Sequence, residues 1–228
     1  MPLPALGNIP MPTSLQDQLD AITARTRELV QEDRLAVSER AIEQLFVTGV
    51  EDRILPVGAR TPTFELANFN NKPIKLSDLL SFGPLVLKFF RGRWCPYCST
   101  ELEAWRDLYD GLRERGALLA AISPQLPRQN DFLVQQHGLQ FPVLSDPGCR
   151  VAEQFGLVWR VPETLAEQYR ATFVNLPYIN GDGSWLLPMP ATYVIDVNGR
   201  AVFAEAHADF RVRPEPDEVM AALARIGV

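Results

Sequence analysis

The segment Trp94-Cys95-Pro96-Tyr97-Cys98 constrains this chain more than any other. Two cysteines flank a Pro-Tyr pair. An apolar run, Pro84-Leu-Val-Leu-Lys-Phe-Phe90, precedes them, and Ser99 to Arg115 reads as a helix. Both thiols therefore fall where a strand hands over to the first turn of a helix. Unpaired backbone N–H groups and the positive end of the helix dipole lie there, and both favour a thiolate. Pro96 suits that first turn, because its missing N–H removes no helix bond. Two cysteines at this spacing can also close a small disulfide ring, so the segment is built for reversible two-electron thiol chemistry.

A structural zinc site is the competing use of such a pair. It needs two further ligands. The remaining candidates are Cys149, His137 and His207, none in a paired spacing, so no metal is expected. Three cysteines in 228 residues do not form a secreted disulfide scaffold. A net charge of −6 without a long basic run argues against nucleic acid and anionic membrane as partners. No apolar stretch approaches the roughly 18–20 residues of a membrane span. Met1-Pro-Leu-Pro-Ala-Leu-Gly lacks the basic start and apolar core of a signal peptide. A reducing cytoplasm is the expected compartment.

Along the chain, residues 1–13 carry four prolines and read as loose. From Ser14 to about residue 48 the apolar spacing is helical: Leu15, Leu19, Ile22, Thr26, Leu29 and Val30 on one face, then Val37, Ala41, Ile42 and Leu45 on another. Two helices, or one bent one, are expected over 14–48, with Ser38-Glu39 able to open a second and Gly49 to close it. They form either an arm packed on their own domain or a dimer-forming arm. Beyond residue 56 strands and helices alternate. A hairpin turning at Asn70-Asn71 opens the series. Ala117-Leu-Leu-Ala-Ala-Ile122 is a buried parallel strand, and a hairpin turning at Asn198-Gly199 precedes a last helix from Pro216. This order fits an α/β sheet of mixed pairing flanked by helices. The chain divides into an N-terminal helical extension, 1–56, and a main domain, 57–228.

At this point the chain resembles the thioredoxin fold, and within it the peroxiredoxin-like branch of the alkyl hydroperoxide reductase / thiol-specific antioxidant family. The likeness covers roughly residues 57–228. It rests on Val57-Gly-Ala-Arg-Thr-Pro-Thr-Phe-Glu-Leu66, Phe89-Phe-Arg-Gly-Arg-Trp-Cys-Pro-Tyr-Cys98, Ala121-Ile-Ser-Pro-Gln125, Phe141-Pro-Val-Leu-Ser-Asp-Pro147 and Pro190-Ala-Thr-Tyr-Val-Ile-Asp-Val-Asn-Gly199. The resemblance implies an antioxidant thiol peroxidase with no cofactor, acting on hydroperoxides. An external dithiol such as a thioredoxin or glutaredoxin system would reduce it, and a homodimer is implied. Cys98-Ser99-Thr100-Glu101 fits the family's peroxidatic motif, with Thr100 and Glu101 shaping the site, which makes Cys98 the attacking thiol and Cys95 the resolving one. The motif's proline and threonine positions hold Arg91 and Cys95, and the family's arginine position holds Pro190. A hydroxyl and a guanidinium are thus missing from their usual places, and Arg91 and Arg93 are the nearby cations able to replace the latter. Met189-Pro190-Ala-Thr instead resembles the cis-proline loop of thioredoxins, which faces their cysteine pair.

A disulfide-reductase reading stays open beside the peroxidase one. In it Cys95 attacks, Cys98 resolves, and Trp94 and Tyr97 shape the contact surface. A redox-sensing binding protein is the third class. Lys88 is unusual in a buried strand: it either pairs with a buried acid or approaches the thiols, or sits at a strand end reaching solvent, and the last is the expectation. Cys149 is expected to be an inert free thiol and His207 structural. Arg211 and Arg213 precede the last helix, where the resemblance places an arginine, without an assignable role. The aromatic-rich stretch 158–188 either roofs the site or covers a sheet edge.

Overall fold

The structure is a computed structural model and describes residues 14–228. The expectation for residues 1–13 lies outside the described residues. Helix α1 (Leu15–Leu29) opens with a reciprocal cap between Ser14 and Asp17. Helix α2 (Glu32–Val47) follows a break at Val30-Gln31. It starts upstream of Ser38 because Glu32 and Asp33 suit a helix N-terminus, leaving Ser38 inside the helix, where its hydroxyl accepts from Gln168 Nε2 at 3.3 Å. A 3-10 turn at Val50–Arg53 begins from Gly49, whose φ of +66° is left-handed.

Strands β1 (Glu65–Asn68) and β2 (Pro73–Lys75) form the first hairpin, with Asn71 at φ +59°. After α3 (Leu76–Leu80) come β3 (Leu85–Phe89) and α4 (Pro96–Glu114), then β4 (Leu118–Ser123), α5 (Pro127–His137), β5 (Val143–Ser145) and α6 (Arg150–Gln154). Strand β6 (Val158–Arg160), α7 (Glu163–Ala171), α8 (Leu176–Asn180) and β7 (Leu186–Pro188) form a side layer. Strands β8 (Ala191–Ile195) and β9 (Ala201–Ala206) and helix α9 (Pro216–Ala224) complete the chain. The main sheet has the order β2-β1-β5-β4-β3-β8-β9, with β3, β4 and β5 parallel and the other pairings antiparallel. Strands β6 and β7 pair separately. This is the mixed sheet flanked by helices, with helices at its N-terminal side, that the sequence implies.

Strand β3 sits centrally and divides the core. Alternate side chains leave opposite faces of a strand. Val86 and Phe90 join one apolar cluster with Cys95, Cys98 and Trp105, while Leu85, Leu87 and Phe89 join the other. By the same alternation Lys88 belongs to the thiol face. Helix α4 meets that face with Cys98, Glu101, Leu102, Trp105, Tyr109 and Leu112, a stripe at helical spacing. Helix α1 packs over α4 through Leu15 and Leu19, and its first N–H groups, Leu15 and Gln16, donate to Glu215 at 3.0 and 2.8 Å. Among the described residues no helix is long and apolar enough to cross a membrane.

Candidate active site

Cys95 is the N-cap of α4, and Pro96 is the first helical residue. Both thiols of the motif are unbridged and buried, Cys95 at 1% exposure and Cys98 at 0%. Burial alone would suppress ionisation of both. At Cys95 it is outweighed by a hydrogen bond from the Cys98 thiol, by the charges of Arg91 and Arg213 and by the Cys98 backbone N–H, and the pKa falls to about 6. At Cys98 burial, the proton shared with Cys95 and the Cys95 charge act together, holding that thiol well above its usual range. The pair is therefore one thiolate, Cys95, beside one thiol, Cys98. The more acidic thiol is thus Cys95, which occupies the cap and lies against Arg91, whereas the Cys-Ser-Thr-Glu context names Cys98 as the attacking one.

Arg91 reaches Cys95 from the end of β3. Its Nη1 donates to Sγ at 3.9 Å, and its Nη2 donates to the Tyr169 hydroxyl. The guanidinium is 2% exposed and lies over the rings of Phe210, 4.0 Å from the centroid, and Trp94, 4.8 Å away. Trp94 in turn packs on Tyr169, centroids 5.1 Å apart. Arg93 points elsewhere: it is exposed, its Nε donates to Gln129 at 2.8 Å, and its guanidinium lies over Phe132. Of the two cations named from the sequence, only Arg91 meets the thiols.

A second guanidinium approaches from the opposite end of the chain. Arg213 Nη2 donates to Cys98 Sγ at 3.9 Å, and its Nε to Glu101 Oε2 at 2.9 Å. The other oxygen of Glu101 pairs with Lys88 Nζ at 2.5 Å, and Lys88 donates to Thr192 Oγ1 at 2.7 Å. Lys88 is 1% exposed, so the expected strand-end escape to solvent is corrected. The pleat turns it onto α4, where Glu101, three residues after Cys98, offers a countercharge. Burial lowers the Lys88 pKa against the pull of Glu101. Burial would raise that of Glu101, but Lys88 and Arg213 outweigh it and hold the carboxyl ionised.

A reactive thiolate at a helix N-cap, flanked by two buried guanidinium groups on this sheet, invites comparison with known thiol oxidoreductases. The profile of the AhpC/TSA family matches residues 57–203. The chain belongs to the AhpC/TSA family. Its relatives include a protein named putative peroxiredoxin bcp of Haemophilus influenzae, 34% identical over 115 residues, which are 50% of this chain and 73% of that protein. Thiol-disulfide oxidoreductase ResA of Bacillus anthracis is 30% identical over 107 residues, 45% of this chain and 59% of that protein. The crystal structure of peroxidoxin BcpB from Mycobacterium tuberculosis superposes with a TM-score of 0.60 at 26% identity, covering 76% of this chain and 99% of that one.

Within this AhpC/TSA chain the remaining candidates separate. Tyr97 is buried. Its hydroxyl lies 3.1 Å from Thr23 Oγ1 of α1 and its ring packs edge-on against Phe210, so it binds the arm rather than a partner's surface. Thr100 is half-buried on α4. Met189 and Pro190 are buried, but Met189 belongs to the cluster on the far face of the sheet from the thiols. The Met189–Pro190 bond is trans, as are all peptide bonds among the described residues, so the cis-proline expectation is corrected. Met189 N–H donates to Leu157 O at 2.8 Å, and the chain runs directly from β7 into β8, a path that needs no reversal. Cys149 is buried on that far face, and burial pushes its thiol up. His207 Nε2 lies 3.1 Å from Glu205 Oε1, a contact that raises its pKa. The stretch 158–188 does roof the site, through Tyr169 of α7. Sequence reading missed Tyr169 as a site residue, and no spacing motif marks it. It also left Arg213 without a role. The signals for the charge chain were present: a lysine in an apolar strand, and a glutamate in the buried stripe of α4.

Proposed function

We propose that this protein is a thiol-dependent hydroperoxide reductase that cycles between the Cys95/Cys98 dithiol and its disulfide. The observation that carries this is the asymmetric pair: an ionised Cys95 against Arg91, with a protonated Cys98 one helical turn on. The Cys95 thiolate attacks the terminal peroxide oxygen. The S–O bond forms, the O–O bond breaks, sulfur loses two electrons and the peroxide gains them. Cys98 then attacks the sulfenic sulfur, its thiol proton leaves with the hydroxyl as water, and the disulfide closes. An external dithiol of the thioredoxin or glutaredoxin kind restores both thiols. The peroxiredoxin names of several relatives support the substrate class. Arg91 and Arg213 supply the cationic donors that the family's usual positions lack.

Further parts of the reading follow from the same features. Residues 1–56 act as an extension of the 57–228 domain, the family match beginning at residue 57. Leu29, Phe46 and Val47, exposed along the arm, support a homodimer. The low cysteine count, three in 228 residues, supports a cytoplasmic protein.

The deciding experiment is stopped-flow tryptophan fluorescence against hydrogen peroxide, since Trp94 adjoins the pair. Cys98→Ser should consume one equivalent of peroxide and halt at the sulfenic acid, while Cys95→Ser should consume none. The opposite result restores the order implied by the family motif. In the wild type, peptide mapping after mild oxidation should find Cys95 joined to Cys98 and Cys149 free. A dominant bridge to Cys149 would sink the cycle. A second reading, protein-disulfide reduction, is favoured by the low pKa of the first cysteine and by the ResA relative. Insulin reduction without peroxide consumption selects it.

A further inference from the structure

We propose that Tyr169 is a catalytic residue of the peroxide reaction, the hydroxyl that donates to the oxygen leaving Cys95. The proposal rests on the hydroperoxide reading above and adds a residue to it. Arg91 presents its two terminal nitrogens to two different groups, Nη1 to the Cys95 sulfur and Nη2 to the Tyr169 oxygen. One planar fork therefore holds the nucleophile and a phenol side by side. A hydroxyl has one donor and two lone pairs. In accepting from Arg91, Tyr169 uses a lone pair, and Arg91 is its only hydrogen-bond partner among the described residues. Its own O–H is left over, buried on the same guanidinium as the thiolate. Burial keeps the phenol protonated, so a proton is there to give.

A further feature marks the same guanidinium as a place for a ligand oxygen. Arg91 Nε is buried without a hydrogen-bond partner among the described residues, which is costly for a charged group unless something else uses it. An incoming peroxide has donors waiting on it and a cation over which negative charge can develop.

The step balances as follows. The Cys95 lone pair forms the S–O bond as the O–O bond breaks. The second peroxide oxygen departs with the electron pair, as hydroxide from hydrogen peroxide or alkoxide from an alkyl hydroperoxide. The Tyr169 O–H bond breaks toward that oxygen and yields water or alcohol. The phenolate, held by Arg91, regains a proton from solvent. A positioned general acid of this kind typically contributes 10²–10⁴-fold.

The test uses Tyr169→Phe, which keeps the ring on Trp94 and removes only the hydroxyl. Three reagents read different things on the full chain. tert-Butyl hydroperoxide expels an alkoxide that needs a proton. Peracetic acid expels acetate, which needs none. Iodoacetamide expels iodide and reports only the thiolate population and its access. The expected result is a loss of at least about 10-fold with tert-butyl hydroperoxide, with peracetic acid and iodoacetamide rates, and the pH midpoint of alkylation, left where they are in the wild type. An equal fall with all three reagents would show that Tyr169 only holds Arg91 or the fold, and would overturn the proposal. So would an unchanged rate with tert-butyl hydroperoxide. If the wild type itself ignores every peroxide yet reacts with iodoacetamide, it is the hydroperoxide reading that fails, and the proposal with it.

Discussion

Cys95 ionises because of what surrounds it rather than because of its motif alone. Around the pair the chain buries three cations, Lys88, Arg91 and Arg213, and one carboxylate, Glu101. With three positive groups against one negative the cluster favours a thiolate, which offsets part of the excess positive charge, and the guanidinium of Arg91 directs that thiolate to Cys95. The pair itself was legible in five consecutive residues. Its polarity was not, since it is set by the proton that Cys98 shares with Cys95 and by the Arg91 guanidinium that the fold lays against Cys95. Alkylation of the wild type by iodoacetamide should rise with pH to a plateau with a midpoint of about 6. Arg91→Met, by removing the adjacent charge, should move that midpoint upward. Stability should carry the same signature. In the reduced protein the folded state holds Cys95 ionised above about pH 6, whereas the unfolded thiol keeps its proton up to the ordinary value of 9.0. Between those limits the unfolded state binds the extra proton, so stability rises with pH by at most about 1.4 kcal/mol per unit. The contribution is fully present above the unfolded value and is lost as the pH falls through the folded one. Urea denaturation of wild type against Cys95→Ser across that window measures it, and parallel pH profiles for the two proteins would refute it.

At the level of elements, what reads well from sequence is periodic, and what reads poorly is set by distant contacts. The helical spacing of Leu15, Leu19, Ala41 and Leu45 announced α1 and α2, and the buried runs announced β3 and β4. The Met189–Pro190 turn misled because a short local likeness stood in for geometry that Leu157 decides. The loop joining β3 to α4 is the most demanding connection in the site. In six residues, 90–95, it must place Arg91 against the thiol, return Cys95 N–H to Gly92 O at 3.1 Å, and tie Arg93 N–H to Gln125 Oε1 at 2.9 Å. Gly92 makes this possible with φ at +149°, a conformation L side chains rarely adopt. A Cβ there would also lie 2.4 Å from Trp94 Nε1 and 3.1 Å from Gln125 Oε1. Gly92→Ala should therefore cost about 1–3 kcal/mol from the backbone alone. It should displace Trp94 from Arg91 and change the tryptophan emission of the folded protein. A variant with wild-type stability and emission would show that the loop has room the geometry denies it.

Considered whole, the molecule encloses its reactive sulfur. The sheet lies beneath the thiols. Helix α1 packs over α4 beside Tyr97, and α7 brings Tyr169 against Arg91, leaving Cys95 and Cys98 with essentially no exposed surface. Small peroxides can reach such a site through fluctuations. A reducing protein that must touch the Cys95–Cys98 disulfide cannot do so without an element moving. The arm is the element suited to this, since α1 buries little apolar surface: Leu15 and Leu19 are its only fully buried side chains, and the rest of its hold is polar, through Glu215 and Arg211 O at its first turn and the Thr23–Tyr97 contact. Local opening draws on regions with sparse apolar burial. Leu19→Ala removes the most buried of these anchors and should cost about 2–5 kcal/mol. It should also speed reaction of Cys95 with a bulky disulfide reagent such as 5,5′-dithiobis(2-nitrobenzoate) by at least about 10-fold, the equilibrium effect of roughly 1.4 kcal/mol. Cys149 provides the internal control, being buried in the cluster on the opposite face of the sheet. Global unfolding would expose Cys149 together with Cys95, whereas displacement of α1 leaves it covered. Mass-spectrometric mapping of the first thiol modified should find Cys95 accelerated and Cys149 unchanged. Equal acceleration of both cysteines, or none of Cys95, would mean that α1 is a fixed part of the core and that the route to the thiols lies elsewhere.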